Sequence, residues 1–482
     1  MSGASGGGAE RDSDPLFGAL LFVVALVPRA IVALAWSGEP VWDGHYYDFG
    51  ARRIAEGLGY SDDRAVAGTL VWHPWCHYPV GYSGFLALFY RALGAHQEVA
   101  AVANSLTGAA LAVVTWALAG HALSRWRARM AGLLVALHPG LILYAALVMT
   151  EPLAALLTLV AFWLAVRDAR PSRGLVLGAL TLGVAALVRP QALLCAPFLA
   201  LVVAVGRERG EPATSLWERW RPRAVAAVGA LAIALLPVLP WTARNCRVMD
   251  GCALVSTNAG WNLAIGAFPR ATGRFETLRA SDGCRDVTGQ VEQDRCWLHY
   301  GLGEIAARPW RWLALVPVKL GFTFDHESFA VEYLHEARPD AWPQATRERA
   351  REVTTLAHRL LLAAAALGAV AFPLARSRRD ARAVAMQGAL LAIAVALGLL
   401  GLASDSPIFW PLAVFAATVP WLHLPGRPGS PPALLLGVAL LATTAITHAV
   451  FFGEDRYHIV VTPVLALLAA AALRPAQATR AS

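Results

Sequence analysis

Asp43, Glu151, Arg189, Arg244, Lys319, Asp325, His326, Glu327 and Arg456 are spread over separate stretches of the chain, each beside a long apolar run. A carboxylate can take a proton from a weak nucleophile such as a hydroxyl. Guanidinium and ammonium groups suit an anion such as a phosphate. The densest chemistry follows the first apolar run: Trp42-Asp43-Gly44-His45-Tyr46-Tyr47, then Gly57-Leu58-Gly59-Tyr60, then His73-Pro74-Trp75-Cys76-His77-Tyr78-Pro79-Val80-Gly81-Tyr82. A plain link between two membrane helices is short and polar; this one carries the residues of a site. Taken singly, each charge reads equally well as an interfacial anchor or a structural ion pair, and only shared placement marks a site. Lys319 is the only lysine among 41 basic residues. A compact ammonium beside a phosphate is one reading of it, and chance survival of one codon is the other.

Composition fixes the elements that must position these groups. The 482 residues are 57% hydrophobic and 15% charged, with a mean hydropathy of +0.50, outside the range of soluble domains. Apolar runs of spanning length recur. The expected architecture is an all-α polytopic membrane protein with about twelve transmembrane helices: 16–36, 97–121, 129–147, 150–166, 174–188, 191–206, 224–241, 354–375, 383–402, 407–423, 432–452 and 457–473. The segment 310–324 would reach only about 22 Å as a helix, against roughly 30 Å of hydrocarbon, and reads as interfacial or re-entrant. The organisation expected is a cytoplasmic tail (1–15), an N-terminal membrane half (16–241) holding the extracytoplasmic loop 37–96, a loop region (242–353), C-terminal membrane helices (354–474) and a second tail (475–482). Residues 1–14 lack a basic n-region and a cleavage signal, so the first helix reads as a retained anchor.

The net charge of +8 does not point to nucleic acid. Its arginines cluster in short loops, as in Arg125-Trp126-Arg127-Ala128-Arg129 and Arg376-Ser377-Arg378-Arg379, which are cytoplasmic by the positive-inside rule. Alternating the spans from a cytoplasmic N-terminus puts those loops inside and every candidate above on the outer face. Cys76, Cys246, Cys252, Cys284 and Cys296 fall in outer loops too, where disulfides persist. Cys246/Cys252 and Cys284/Cys296 are the sequence-local pairings, with unpaired thiols the other reading. No cysteine spacing of a metal site is present. His73 and His77 would share a helix face, but Pro74 and Pro79 argue against a helix, so no metal is expected there. A divalent cation is possible but not indicated.

These residues carry a resemblance. Asp43 with Tyr47 and Ala51, Gly57-x-Gly59-Tyr60, and Pro79-x-Gly81-Tyr82-x-x-Phe85-Leu86-Ala87 are similar to the first extracytoplasmic loop of GT-C-fold glycosyltransferases. The bacterial branch related to protein O-mannosyltransferases and lipid A aminoarabinose transferases is the most similar. Thr150-Glu151-Pro152, Leu187-Val188-Arg189-Pro190, Pro240-Trp241-x-x-Arg244-Asn245, Thr257-Asn258-x-Gly260-x-Asn262-Leu263-x-x-Gly266 and Arg456-Tyr457 resemble further stations of it. The chain departs at Gly44, where those relatives carry glutamate.

The resemblance implies inverting transfer of a hexose or pentose from a polyprenyl-phosphate donor to a lipid, glycan or protein acceptor. It implies a bacterial inner membrane location with the site facing the periplasm. Asp43 is then the general base, with Glu151 orienting a substrate hydroxyl. A phosphate leaving group needs cations more than an acid, and Lys319, Arg189 and Arg244 are the candidates. Trp42, Tyr46, Tyr47, His73, His77, Tyr82, Asn258, Asn262, His326, Glu327, Arg456 and Tyr457 are the expected substrate contacts. No cofactor is required. A lipid or small-molecule transporter or flippase is the alternative, although no internal repeat of the kind such folds use is visible.

Overall fold

The first apolar run forms α1 (Pro15–Trp36), opened by the Asp14 carboxylate, which accepts the Leu16 and Phe17 amides. This is how an N-terminal helical end satisfies its free N–H groups. One face of α1 buries Gly18, Leu21, Ala25, Arg29 and Ala33. The opposite face exposes Leu16, Leu20, Val23, Val27, Ile31 and Leu34. An outward stripe made wholly of large apolar side chains belongs against lipid. The computed structural model describes residues 14–168, 170–205, 216–376, 381–404 and 431–473.

The loop after α1 is built, and not all-α. It holds α2 (Asp43–Ala55), a hairpin of β1 (Ser61–Val66) and β2 (Thr69–Pro74), and α3 (Val80–Leu93). The strands pair antiparallel with Ser61 opposite Pro74 and Val66 opposite Thr69. Ala67 and Gly68 turn the chain with φ of 50° and 83°, the two left-handed residues a tight hairpin needs. The hairpin corrects the all-α expectation. A core of Tyr47, Ala51, Tyr82, Leu86, Tyr90, Val148, Leu153 and Val188 fastens the loop to the bundle.

Beyond it come α4 (Gln97–Ala119), α5 (Arg125–Ala136), α6 (Pro139–Leu143), α7 (Glu151–Arg167), α8 (Pro171–Val188), α9 (Cys195–Val205), α10 (Leu216–Leu235) and α11 (Leu239–Val248). The segment 249–343 carries α12 (Ala259–Ala267), α13 (Gln290–Ala307), α14 (Pro309–Phe324) and α15 (Phe329–Ala337). The C-terminal part adds α16 (Gln344–Arg376), α17 (Ala381–Ser404), α18 (Pro432–Val450) and α19 (Thr462–Ala472). In the main core α1 packs on α4, α4 on α5 and α7, and α19 on α16 and α5.

Among the described residues three helices are long and apolar enough to cross a bilayer alone: α1, α4 and α18. Two more crossings arise if bent pairs count as one span, 125–136 with 139–146 (53°) and 221–235 with 239–248 (56°). The twelve spans expected are not confirmed among the described residues, where several apolar runs are broken or short. Runs 191–206 and 457–473 each begin with a 3₁₀ turn, leaving α9 and α19 at 11 residues. The expected span 407–423 lies outside the described residues. The 310–324 segment is helical, as α14.

The break between α5 and α6 shows how such a fold manages irregular backbone. Leu137 and His138 interrupt the helix, freeing carbonyls that hydrocarbon would penalise. Arg29 donates Nη1 to Ala136 O (2.7 Å) and Ala25 O (2.8 Å), and Nη2 to Val135 O (2.9 Å). Arg29 is fully buried and holds the break.

Two ends of the bundle differ in kind. At one, Asp14 pairs with Arg125 (3.0 Å) and Arg129 (2.8 Å). At the other, the loop 37–96 is tied to the segment after α11: Arg244 donates to Tyr60 O (2.7 Å) and Trp75 O (3.0 Å), and the Thr257 amide to Cys76 O (3.0 Å). Cys246–Cys252 and Cys284–Cys296 are disulfide-bonded, as the local pairings anticipate, and Cys76 and Cys195 are free and buried.

Gly44 has a steric explanation. A Cβ there would press on the Tyr333 hydroxyl and stand 2.9 Å from Val148 O. We expect Gly44→Ala to lower the thermal midpoint and Gly44→Glu to prevent folding of the loop. Size-exclusion and thermal melts in detergent check this; a Gly44→Glu protein as stable as wild type would contradict it.

Candidate active site

Asp43 is the first residue of α2. Trp42 before it adopts a left-handed φ of 50°, unusual for a bulky residue, and turns the chain into the helix. The Asp43 Oδ2 lies 2.5 Å from Arg456 Nη1, and the Tyr78 hydroxyl donates to Oδ1 at 2.7 Å. Burial acts to raise this carboxyl, but Arg456 and Tyr78 outweigh it and hold it below the ordinary carboxylate value. Asp43 is therefore ionised at neutral pH.

Arg456 sits in the 3₁₀ turn Asp455–Val460 after α18. Its Nε lies 2.8 Å from Glu454 Oε2, so one guanidinium is divided between two carboxylates. Burial pushes Glu454 up to about 7, with Arg456 opposing and Asp43 adding to the rise. We expect activity to rise as pH passes through 7. Below that value Glu454 is protonated and Arg456 belongs to Asp43 alone. Above it Glu454 ionises, competes for Arg456 and leaves Asp43 a better proton acceptor. Glu454→Gln should remove this limb from the pH–rate profile, and an unchanged profile would contradict the assignment.

Glu151 and Arg189 are brought together by the α7–α8 hairpin, Glu151 as the first residue of α7 and Arg189 as the residue ending α8. Each charge suits the helix end it occupies. Glu151 is fully buried, with Oε1 2.6 Å from Arg189 Nη1, which also donates to Thr150 Oγ1 (3.0 Å). Glu151 Oε2 has no partner among the described residues.

Asp43, Glu151, Arg189 and Arg456 line a cavity of about 650 Å³. Tyr47, His77, Tyr78, Asn258, Asn262, His448 and Tyr457 add polar edges, and Leu194, Ile265, Phe451 and Phe452 an apolar wall. Burial lowers His77 below the ordinary imidazole value, partly offset by Asp43. A second cavity of about 500 Å³ is lined by Trp42, Tyr46, Arg274, His326, Glu332, Glu454 and Asp455. Asp43 and Arg456 line both.

The structure thus gathers Asp43, Glu151, Arg189, Tyr47, His77, Asn258, Asn262, Arg456 and Tyr457 around one cavity, and Trp42, Tyr46 and His326 around its neighbour. It places other expected site residues elsewhere. Lys319 is fully buried, with Nζ 3.3 and 3.2 Å from the carbonyls of Ala449 and Val450. It caps the end of α18, where carbonyls lack helical partners. Arg244 is occupied by loop carbonyls and lies over the Trp241 ring. His73 Nδ1 is 2.7 Å from Asp62 across the hairpin. Tyr82 is buried and donates to Asn104 Oδ1 (2.8 Å). Glu327 turns away from both cavities into a cluster of histidines. Sequence reasoning missed Tyr78 and Glu454, although each lies one or two residues from a named candidate.

No family model matches the chain, and no curated protein matches it. Among solved structures it is similar to the oligosaccharyltransferase of Archaeoglobus fulgidus tethered with an acceptor peptide. That likeness has a TM-score of 0.44 at 14% identity, over 95% of this chain and 49% of that one. It is also similar to AglB from the same organism in complex with an inhibitory peptide and a dolichol-phosphate (TM-score 0.41, 13% identity, 95% and 50% of the two chains). ArnT from Cupriavidus metallidurans bound to undecaprenyl phosphate is a third (0.37, 15%, 95% and 78%). The chain spans about half the length of the archaeal oligosaccharyltransferase. These overlaps are loose, and the reading of the site rests on its own chemistry.

Proposed function

We propose that the chain transfers a sugar from a polyprenyl-phosphate donor to an acceptor hydroxyl at the outer membrane face, with Asp43 as general base. The observation that carries this is the position of Asp43 and Arg456 in the wall shared by two cavities. A single displacement needs nucleophile and leaving group on opposite sides of one carbon, and two chambers meeting at a carboxylate provide that arrangement.

Charge balance assigns the chambers. The larger has two carboxylates against two guanidiniums, Asp43 and Glu151 with Arg189 and Arg456, and an apolar wall. That balance tolerates a sugar phosphate, and the wall suits the prenyl chain. The smaller is lined by Asp43, Glu332, Glu454 and Asp455 against Arg274 and Arg456, with Arg347 and Arg351 paired to Glu332 from outside the lining, so its own surface is less suited to a phosphate once Glu454 ionises. The acceptor belongs there.

In the step itself the acceptor hydroxyl gives its proton to Asp43 as its oxygen bonds the anomeric carbon. The carbon–oxygen bond to phosphate breaks, and polyprenyl phosphate leaves. Arg189 and Arg456 stand ready for the charge growing on that phosphate. A phosphate is a weak enough base to leave without an acid of the kind glycosidases use. Glu151 takes the sugar in this reading: its buried Oε2 has no hydrogen-bond partner among the described residues and would accept from a sugar hydroxyl. The anomeric configuration of the product tests this mechanism. Inversion relative to the donor is expected, and retention would require a covalent intermediate and overturn the role given to Asp43.

A further inference from the structure

Below the site, four residues from four distant segments converge without any spacing in the sequence to announce them. His138 lies at the α5–α6 break, Glu327 in the link from α14 to α15, His358 on α16, and His458 in the turn that carries Arg456. All four are at most 5% exposed. The Glu327 carboxylate receives His458 Nε2 at 3.0 Å and His358 Nδ1 at 3.8 Å on Oε2, and His138 Nδ1 at 3.9 Å on Oε1. Ligand atoms of His138, Glu327 and His358 lie within 4.8 Å of one another. Glu327 reaches this position because residue 140 is glycine; any Cβ there would collide with its carboxylate.

The hydrogen bonds around the cluster fix which nitrogens face inward. His458 Nδ1 donates to Thr323 O and His358 Nε2 to Phe324 O, both at 2.8 Å. His358 Nδ1 is then a lone pair when the ring is neutral, while His458 Nε2 hydrogen-bonds Glu327 Oε2 at 3.0 Å. His358 Nδ1 and Glu327 Oε1 have no hydrogen-bond partner among the described residues. His138 Nδ1 has only a long 3.5 Å contact from the Leu141 amide. His138 and His358 then face the Glu327 carboxylate and one another with acceptors only, and a buried cluster of that kind needs a cation to hold it. One proton satisfies one contact. Two charged imidazoles are disfavoured because the His358 and His458 rings stack at 3.8 Å and like charges that close repel. A single divalent ion satisfies His138, Glu327 and His358 at once, while His458 keeps its contact with Glu327 Oε2.

We propose that His138, Glu327 and His358 form a buried site for a divalent transition-metal ion of the zinc type, with His458 holding Glu327 in place. Two imidazoles and a carboxylate are a donor set for zinc, at bonds of about 2.0–2.2 Å, with a fourth position left for water. Ligating histidines characteristically donate their second nitrogen to a backbone carbonyl, as His358 does. Such an ion would join the α5–α6 break, the α14–α15 link and α16 and, through Glu327, the turn bearing Arg456, two residues before His458. It would thereby fix the guanidinium against Asp43 without touching a substrate.

The test uses the full chain purified in nanodiscs without chelator and reads metal content, not sugar transfer. About one zinc per chain is expected by elemental analysis, at least tenfold reduced in Glu327→Gln and His358→Gln. Apo wild-type protein titrated with zinc against a chromophoric chelator should take up one equivalent. Cobalt loading should give the visible spectrum of tetrahedral nitrogen–oxygen coordination. These wild-type readings hold even if the variants fail to fold. No retained metal with no uptake by the wild type overturns the proposal, leaving a protonated His458 paired with Glu327. Metal that persists undiminished in both variants overturns it as well, since the ion would then lie elsewhere.

Discussion

Asp43→Asn is expected to lower sugar transfer by about 10²–10⁴-fold, the range a positioned general base contributes. Asparagine keeps the size of the side chain and an oxygen for the Tyr78 hydroxyl, which donates to Oδ1 at 2.7 Å. It loses the capacity to take a proton. Arg456 retains Glu454 at 2.8 Å, so no guanidinium is stranded and the loop should fold. The loss should fall on kcat more than on donor KM, because the contacts proposed for the donor at Arg189 and the apolar wall are left intact. Steady-state release of polyprenyl phosphate by the wild type and the Asp43→Asn variant, at equal thermal midpoint, makes the comparison. Full turnover in the variant would remove Asp43 from the chemistry.

Arg189→Ala carries the largest expected cost to stability. Glu151 is fully buried and meets Arg189 at 2.6 Å. Removing only the guanidinium leaves an unpaired charge inside the protein, and breaking a buried pair from one side costs about 3–5 kcal/mol. The double variant Glu151→Gln, Arg189→Met should recover much of that cost, since it strands no charge. Its activity should stay low, because the cavity has lost a guanidinium and a hydroxyl acceptor. Denaturation of the single and double variants in one detergent separates the two effects. A single variant as stable as wild type would mean that Glu151 carries no charge in the folded protein.

What could be read beforehand follows the range of the interactions. The disulfide Cys246–Cys252 closes over six residues and Cys284–Cys296 over twelve, close enough for sequence to pair them. The face shared by Asp43, Glu151, Arg189 and Arg456 followed from span parity and the arginine-rich loops. Which of these pair did not, because Asp43 and Arg456 are 413 residues apart and only the packed bundle brings them together. Lys319 was conspicuous by composition, yet its task depends on where α18 ends. His326 and Glu327 are neighbours with opposite destinations, one lining the smaller cavity and the other the histidine cluster. A link that changes direction between α14 and α15 separates them, and no periodicity predicts that. The hairpin at 61–74 was hidden among turn residues that read only as non-helical. Apolarity marked helical runs but neither the number that cross nor their breaks: the interruption at Leu137–His138 is held by Arg29, more than a hundred residues earlier.

The central claim is that Asp43 serves group transfer between two chambers, and one measurement addresses it directly. Purified protein in nanodiscs is given radiolabelled polyprenyl-phosphate sugars, one sugar at a time, with an envelope extract as acceptor. Sugar incorporation and free polyprenyl phosphate are counted together. The expected result is one polyprenyl phosphate released for each sugar incorporated, with both signals lost in Asp43→Asn. Movement of intact donor across the bilayer, with no cleavage of its sugar–phosphate bond and no dependence on Asp43, would contradict the account and make the chain a transporter.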